Sequence, residues 1–252
     1  MSNDSSRRFE TTVWSMVEAA QRRDTPESLQ AMNRFMARYW KPVFYFLRAR
    51  GYALHQAEDL TQEFFLQFFE RFWMRWANPQ RGRFRTFLLT VLTRFLADQG
   101  AERAPKQKSF DQRLVLISTL VGDSERLFEP VETETPELVF MRQWARATID
   151  TVERSLEAWC NEQGRPDWYQ IFSLHHFPPP GMGRLSQQEI AGRFQLSRDQ
   201  VRYALDQANA QFVTLLRGEV AEQVAPPIRM EDEILELERL LGNAGRRAEG
   251  AC

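Results

Sequence analysis

Apolar residues recur at intervals of three and four along most of the chain, and this spacing predicts helices. The alternation that is typical of strands is weak throughout. We therefore predict an all-α fold. The expected helices cover about residues 9–23, 26–50, 55–76, 84–102, 137–163, 167–176, 186–194, 198–224 and 230–242. Pro42 lies inside the second of them and is expected to kink or split it.

A change of pattern near the middle of the chain divides these helices into two groups. Residues 103–136 have no sustained helical face and end in an acidic, proline-flanked run, so we expect a flexible linker. The sequence thus predicts one helical domain over residues 1–102 and another over 137–224. An acidic tail helix follows within 225–252, and we expect it to pack on the second domain or, alternatively, to contact a partner protein.

The stretch "LSQQEIAGRFQLSRDQVRYALDQ" (185–207) predicts two short helices around a tight turn. Ser186 with Glu189, and Ser197 with Gln200, each match a capping box, in which a hydroxyl and a longer side chain satisfy free backbone donors. This arrangement is typical of a helix-turn-helix, which offers its second helix to the DNA major groove. A helix pair in an ordinary bundle is an equally good interpretation. The apolar side runs through Ile190, Ala191, Phe194, Val201, Leu205, Ala208, Phe212 and Leu215.

An acidic stripe is predicted on the helix "AEDLTQEFFLQFFERFW" (57–73). Its aromatic residues cover most of the remaining surface, which indicates a well-buried helix. The simpler interpretation of the stripe is a solvated face. The functional interpretation is a docking stripe for a basic partner helix, where charges set orientation and association rate. The stripe comprises Asp59, Gln62, Glu63, Leu66 and Glu70.

The next helix, "RGRFRTFLLTVLTRFLAD" (81–98), carries a row of small polar residues opposite its apolar face. Threonine hydroxyls and methyls can both contact base edges, and the flanking arginines can hold phosphates. Trp73 and Trp76 precede this helix. Each could stack on an unpaired base, but for each we favour a place in the core. The row consists of Thr86, Thr90, Thr93 and Ala97, with Arg94 at its edge.

Composition narrows the classes of function. The formal net charge is -1, which conceals a basic segment at 79–108, with seven Lys or Arg and two acids, and acidic segments at 122–137 and 219–240. The two cysteines, Cys160 and Cys252, form no disulfide framework and fit a reducing cytoplasm. We find no signal peptide, membrane span, zinc-ligand spacing, phosphate loop or serine elbow, so we expect no membrane, metal, cofactor or enzymatic role.

The ordered combination of segments resembles extracytoplasmic-function (ECF) sigma factors, in particular a large subgroup with extensions. "AEDLTQEFFLQFFER" followed by "FRTFLLTVLTRFLAD" is similar to their conserved second region. The pattern Phe-Arg-x-Trp-Leu falls on Phe84, Arg85 and Leu88, with Phe87 in place of the usual Trp. The helix-turn-helix at 186–217 is similar to their fourth region. The resemblance covers most of residues 9 to 224.

This resemblance implies a dissociable subunit of bacterial RNA polymerase that needs no cofactor or metal. The acidic stripe would dock on core polymerase through Asp59, Gln62, Glu63 and Glu70. The first domain would open the downstream promoter element, and the fourth region would bind the upstream element. An anti-sigma protein is a further implied partner. The implied promoter DNA contacts are Arg81, Arg83, Arg85, Thr90, Thr93 and Arg94 in the first domain, and Arg198, Gln200, Arg202, Tyr203 and Gln207 in the second.

Three positions depart from the family pattern. Arg94 stands where many members have Asn, which suggests an unusual downstream element. Gln195 replaces a glycine in the helix-turn-helix turn and is expected to cost little if its backbone has negative φ. Residues 203–212 contain no basic residue, so we expect weak DNA binding outside polymerase. The alternatives are a helix-turn-helix regulator that acts without polymerase and a sigma-like scaffold for a regulatory partner.

Overall fold

A computed structural model describes residues 26–71, 73–78, 82–101, 134–179, 181–224 and 228–248. These residues form eight α-helices and no β-strand, which confirms the all-α prediction. A 3₁₀ helix at Trp73–Trp76 joins the second and third α-helices. The helices are α1 (Pro26–Ala49), α2 (Leu54–Glu70), α3 (Phe84–Ala101), α4 (Pro136–Glu162), α5 (Pro166–His176), α6 (Gln187–Phe194), α7 (Arg198–Ala221) and α8 (Met230–Ala248).

Most helix boundaries lie within a few residues of the predicted ones. The largest differences are in α2, which ends at Glu70 before the 3₁₀ turn, and in α8, which continues to Ala248. Pro42 does not split α1, which is one helix from Pro26 to Ala49. The predicted helix at 9–23 and all but the last residues of the predicted linker lie outside the described residues.

The chain divides into two compact units. Unit 1 contains the described residues up to Ala147 together with those from Val220 onward, and unit 2 spans Thr148–Glu219. The boundaries therefore fall inside α4 and near the end of α7, whereas the sequence suggested divisions at 103–136 and 224. The tail helix α8 belongs to unit 1, which also contains residues 136–147 and 220–224 of the predicted second domain.

The core of unit 1 is built from aromatic side chains of α1, α2 and α3. Phe35 of α1 stacks on Phe68 of α2 with ring centroids 5.4 Å apart, and meets Phe84 of α3 edge-on at 5.5 Å. Such pairs contribute about 0.5–1.5 kcal/mol each beyond the area they bury. The apolar faces predicted for α2 and α3 are thus the buried ones, which leaves the acidic stripe and the threonine row outside the core. The buried residues of these two faces are Phe64, Phe65, Phe68, Phe84, Leu88, Val91, Leu92 and Phe95.

The core of unit 2 joins the C-terminal part of α4 to α5, α6 and α7. Trp168 and Phe172 of α5 pack with Ile190 of α6 and Val201 of α7. Cys160 lies in the same core, and burial raises the pKa of its thiol, so it behaves as an unreactive apolar residue. The predicted apolar side of the helix-turn-helix is confirmed: Ile190, Ala191, Val201, Leu205 and Ala208 are buried, and Phe194, Phe212 and Leu215 are partly buried.

Candidate functional site

The threonine row of α3 lies on the exposed side of the helix. Thr90 Oγ1 donates a hydrogen bond to the carbonyl oxygen of Thr86 at 2.9 Å, and Thr93 Oγ1 donates to that of Leu89 at 2.9 Å. Because each hydroxyl proton is used within the helix, the oxygens are left as acceptors beside exposed methyl groups. Arg94 is exposed on the same helix. This face can therefore accept hydrogen bonds from base amino groups and contact apolar base surface.

The two tryptophans of the 3₁₀ helix have different environments. Trp73 is 8% exposed and packs within 6.4 Å of the ring centroids of Phe64, Phe68 and Phe95, so its predicted place in the core is confirmed. Trp76 is 54% exposed, and the same prediction is wrong for it. The two rings differ in exposure although only two residues lie between them in the 3₁₀ helix. Trp76 thus offers an aromatic surface to solvent in the segment that precedes α3.

Arg85 is enclosed rather than exposed. Its side chain is 4% exposed, and its guanidinium lies 3.9 Å from the ring centroid of Trp144 and pairs with the carboxylate of Glu233. Desolvation by burial lowers the pKa of Arg85 to about 10, with repulsion from Arg83 as a smaller cause. The expectation that Arg85 holds a DNA phosphate does not fit this conformation, because α8 covers the guanidinium. Arg81 lies outside the described residues.

Glu233 is a functional candidate that the sequence did not identify. Its carboxylate is fully buried and accepts a hydrogen bond from Nε of Arg83 at 2.6 Å, in addition to its pair with Arg85. The opposite charges of segments 79–108 and 219–240 were visible in the sequence. Nothing in the pattern showed that the two segments meet, because they are about 150 residues apart.

The acidic stripe of α2 combines solvated and anchored side chains. Asp59 and Glu70 are exposed, whereas Gln62 and Glu63 are half-buried. Oε1 of Glu63 accepts hydrogen bonds from Nε2 of Gln67 at 2.9 Å and from Nε2 of Gln99 on α3 at 2.8 Å. Glu63 therefore helps to fix α3 against α2, while the two exposed carboxylates are accessible to a basic partner.

The helix-turn-helix starts are capped as predicted. Ser186 N donates to Glu189 Oε2 at 2.7 Å and Glu189 N donates to Ser186 Oγ at 3.3 Å. At the second start, Ser197 N donates to Gln200 Oε1 at 2.8 Å and Gln200 N donates to Ser197 Oγ at 3.2 Å. Both capping boxes are confirmed. The second box fixes the point at which α7 begins and therefore which side chains of its first turns are exposed.

The turn between these helices has a left-handed residue. Gln195 has φ 55° and ψ 39°, so the condition of negative φ under which it would cost little is not met. Its backbone N–H donates to the carbonyl of Ala191, and Leu196 N donates to the same oxygen at 3.0 Å. These bonds satisfy the end of α6 and hold Gln195 in a conformation that a glycine adopts without strain.

The start of α7 exposes the residues expected to read DNA, but its charge is balanced. Arg198, Gln200, Arg202 and Tyr203 are exposed, and Gln207 is half-buried. Arg202 Nη2 lies 3.5 Å from Asp199 Oδ1, and both side chains are largely solvated. This pair reduces the positive potential that the helix start presents to a phosphate backbone.

Tyr203 of α7 packs against Trp168 of α5. Its ring is 56% exposed and meets Trp168 edge-on, with centroids 5.9 Å apart. The guanidinium of Arg165 lies 4.8 Å from the Trp168 centroid and forms two hydrogen bonds to Asp167, at 2.9 and 3.1 Å. Sequence reasoning missed Arg165 and Trp168, because their proximity to Tyr203 arises only when α5 packs against α7.

Neither a metal site nor a membrane-spanning helix is found among the residues that the structure describes. In the described ranges, no group of three or more His, Cys, Asp or Glu side chains could hold a metal ion. None of the described helices combines the length and apolar character needed to cross a membrane. Comparison of the chain with protein-family models, with curated proteins and with solved structures gave no match.

Proposed function

We propose that the protein is an ECF-like sigma factor, a subunit that binds core RNA polymerase and directs it to promoters. The proposal rests on the sequence resemblance and on the exposed surfaces of the two units. One observation carries it: the acidic residues of α2 and the threonine row of α3 are both exposed, and both helices pack on the same aromatic core of unit 1. A simple DNA-binding regulator has no need for both surfaces.

The exposed carboxylates of α2 would serve as the polymerase-docking surface. Asp59 and Glu70 are solvated and can approach a basic partner helix with little desolvation. Gln62 and Glu63 lie on the same side of the helix, and Glu63 also holds Gln99. Charge complementarity between the acidic stripe and a basic partner sets the orientation and the association rate of the complex more than its affinity.

The α3 face would contact the separated strands of the downstream promoter element. Thr90 and Thr93 present acceptor oxygens and methyl groups, Arg94 supplies a positive charge, and Trp76 offers a ring on which a base can stack. Stacking tolerates any base, whereas the threonines and Arg94 provide hydrogen-bonding preference. The protein would supply recognition and strand separation, while the polymerase supplies the chemistry.

The helix-turn-helix of unit 2 would contact the upstream element in duplex form. Arg198, Gln200, Arg202 and Tyr203 are exposed at the start of α7, the part of a recognition helix that reaches base edges. Their balanced charge predicts weak binding by the isolated protein. Polymerase would hold the unit near its site and so raise the local concentration. By the same resemblance, an anti-sigma protein is the expected regulatory partner.

Run-off transcription with bacterial core polymerase on fragments of the source genome tests the proposal. The test variant carries Asp59→Lys and Glu70→Lys, which reverse exposed charges of the stripe without touching Glu63. The control variant carries Glu157→Lys and Glu162→Lys, the same charge change on exposed residues of α4. We expect defined start sites with the wild type and the control, and none with the test variant.

Binding to core polymerase, measured by analytical ultracentrifugation, accompanies the transcription assay. A folded wild-type protein that neither binds core polymerase nor yields transcripts would refute the sigma-factor proposal. Transcripts that persist in the test variant, with normal core binding, would refute the docking role of the stripe alone.

A second candidate is a sigma-like adaptor that acts through a protein partner without polymerase. The observation that favours it is the ion pair between Arg202 and Asp199, which weakens the charge of the recognition helix. It predicts that the Arg198→Ala and Arg202→Ala variants retain full activity. Loss of promoter-specific transcription in either variant would count against the adaptor.

A further inference from the structure

We propose that Arg83 and Arg85 form a binding site for a nucleic-acid phosphate, and that Glu233 of α8 occupies this site as an internal competitor. The inference rests on the proposed nucleic-acid role of unit 1. It goes beyond that role because it assigns α8 the function of closing part of the interface. Nucleic acid and α8 would then bind to unit 1 in competition.

The geometry at Glu233 is that of an anion held by two guanidinium groups. Oε2 accepts from Nε of Arg83 at 2.6 Å, and Oε1 contacts Nη1 of Arg85. Arginine is the residue best suited to grip carboxylate or phosphate oxygens, because its planar fork presents several donors in a fixed arrangement. The carboxylate of Glu233 thus stands where an oxygen pair of a phosphodiester could bind.

The site is enclosed by α8, which supplies the carboxylate, and by Trp144, over whose ring the Arg85 guanidinium lies. The side chain of Glu233 has no exposed surface and that of Arg85 has almost none, while that of Arg83 is about one-third exposed (34%). No external anion can reach the buried guanidinium until the first turns of α8 move away. Opening of α8 is therefore the step that would connect this pair of arginines to the exposed α3 face.

Only a narrow face of α8 is buried. Glu233, Leu237 and Leu240, at intervals of four and three, form its inner side. Of the other described side chains of α8, Met230, Ile234, Glu236 and Leu241 are half-buried, whereas Glu231, Asp232, Leu235, Glu238 and Arg239 are exposed. Fewer described side chains of α8 than of α1 are fully buried, so a competing anion can displace α8 more readily than a core helix such as α1.

The charge of α8 also fits a competitor. Glu231 and Asp232 are exposed beside Glu233 in the first turn, so the closed conformation presents negative charge near the start of α3. These carboxylates repel a phosphate backbone, whereas the open conformation would expose two arginines to it. A buried ion pair such as that between Glu233 and Arg85 contributes little to the stability of the fold, because the desolvation of both charges offsets much of their Coulomb attraction. Stabilisation alone therefore does not account for the pair.

The expected consequence is a reduced affinity for nucleic acid in the wild type. When only a fraction of the molecules is open, the apparent dissociation constant is the intrinsic one divided by that fraction. The experiment measures fluorescence anisotropy of a labelled single-stranded oligonucleotide at low salt, with the full-length protein and no polymerase. The test variant is Glu233→Gln, and the matched control is Glu238→Gln, an exposed residue of the same helix.

We expect Glu233→Gln to tighten binding by about tenfold. This is the gain obtained when roughly one wild-type molecule in ten is open and the variant is fully open. The control should change the affinity by less than about twofold, because Glu238 contacts neither arginine among the described ion pairs. Adding Arg83→Gln to Glu233→Gln should remove most of the gain. Circular dichroism checks that each variant is folded.

A second variant covers the case in which Glu233→Gln does not fold. Leu237→Ala with Leu240→Ala loosens the apolar contact of α8 and leaves the carboxylate in place, and it should also tighten binding. Unchanged affinity in the folded variants, equal gains with the control, or no oligonucleotide binding by any form would overturn the inference. Run-off transcription by the wild type reports on the sigma-factor proposal separately, so the two can fail independently.

Discussion

The indole Nε1 of Trp144 donates a buried hydrogen bond to Oε1 of Gln223 at 2.7 Å. The same indole carries the guanidinium of Arg85 over its ring. One tryptophan near the start of α4 therefore connects the beginning of α3 with the segment that follows α7. Both Trp144 and Gln223 lie in unit 1, which contains the described residues from Val220 onward.

Gln223→Leu is expected to destabilise unit 1. The substitution leaves the buried indole N–H without the acceptor at residue 223, and such a loss typically costs about 1–3 kcal/mol of unfolding free energy. Urea unfolding monitored by tryptophan fluorescence measures the change. Gln62→Leu, at a half-exposed position of α2, is the control and should stay within about 0.5 kcal/mol of the wild type. Equal stability of wild type and Gln223→Leu would show that the hydrogen bond contributes little.

Gln195→Gly is expected to stabilise unit 2. Gln195 has a left-handed backbone, which costs an L-residue roughly 1–2 kcal/mol, and part of this is offset by the greater entropy of glycine in the unfolded chain. A net gain of about 1 kcal/mol should appear in urea unfolding.

The matched control for that prediction is Gln170→Gly, at an exposed position inside α5. The same substitution there should destabilise by about 0.5 kcal/mol, because helical glycine loses more conformational entropy than glutamine. Destabilisation at both positions would contradict the strain assigned to Gln195.

The helices and their buried faces were predictable because they follow from local periodicity. The apolar positions of α3, from Phe84 to Phe95, face the core as the spacing required. The capping boxes at Ser186 and Ser197 were also predictable, since their partners lie three residues away. Interactions of this range depend on the sequence within a single helical turn.

The parts of the candidate site that could not be predicted depend on distant contacts or on backbone conformation. Arg85 matches a family motif, yet its exposure is decided by Glu233, which lies on another helix. Trp73 and Trp76 have the same side chain and lie three positions apart, yet the structure places only Trp73 in the core. The sign of φ at Gln195 likewise depends on how α6 ends.

Trp76→Ala is expected to weaken binding of single-stranded DNA while leaving the fold intact. Stacking of a base on an aromatic ring contributes about 1–3 kcal/mol, so the affinity should fall by about tenfold or more. Because Trp76 is exposed, the unfolding free energy should change by only about 0.5 kcal/mol. Fluorescence anisotropy and urea unfolding measure the two effects, preferably in the Glu233→Gln background.

Trp73→Ala provides the contrast, because the Trp73 ring is part of the aromatic core. It should destabilise unit 1 by about 3–5 kcal/mol, the usual cost of truncating a buried tryptophan. Unchanged DNA affinity in a folded Trp76→Ala variant would exclude base stacking at this residue.

A small loss of stability of unit 2 in mild acid is expected from His176, whose side chain at the end of α5 is exposed. Desolvation lowers the pKa of His176, and the neighbouring His175 and Arg184 lower it further. The unfolded chain, with a His pKa of about 6.5, then binds more protons than the folded one. The unfolding free energy should therefore decrease as the pH falls from about 6.5 towards the folded-state pKa.

His176→Gln should flatten this part of the pH profile. Urea unfolding at a series of pH values between about 7.5 and 5, for wild type and variant, isolates the contribution of the imidazole. Subtraction cancels groups that titrate in both proteins, such as Glu153, whose pKa burial raises. Parallel profiles for the two proteins would show that His176 is not responsible.

Asp199→Asn is expected to strengthen binding of duplex DNA by releasing Arg202. The exposed pair between these residues, 3.5 Å apart, contributes only about 0.3–0.5 kcal/mol to the helix, so its loss should not unfold α7. The variant removes a negative charge from the start of the recognition helix and leaves the arginine to meet a phosphate. Each added phosphate contact steepens the dependence of log K on log salt by about 0.9.

A salt titration of duplex binding therefore distinguishes a contact from a general charge effect. Asp150→Asn, at an exposed position of α4, changes the net charge equally and serves as the control. A steeper slope in Asp199→Asn alone, abolished by adding Arg202→Ala, would place Arg202 at the DNA backbone. Equal slopes in both variants would mean that α7 does not approach the phosphates through Arg202, and would favour an adaptor that binds protein through this helix.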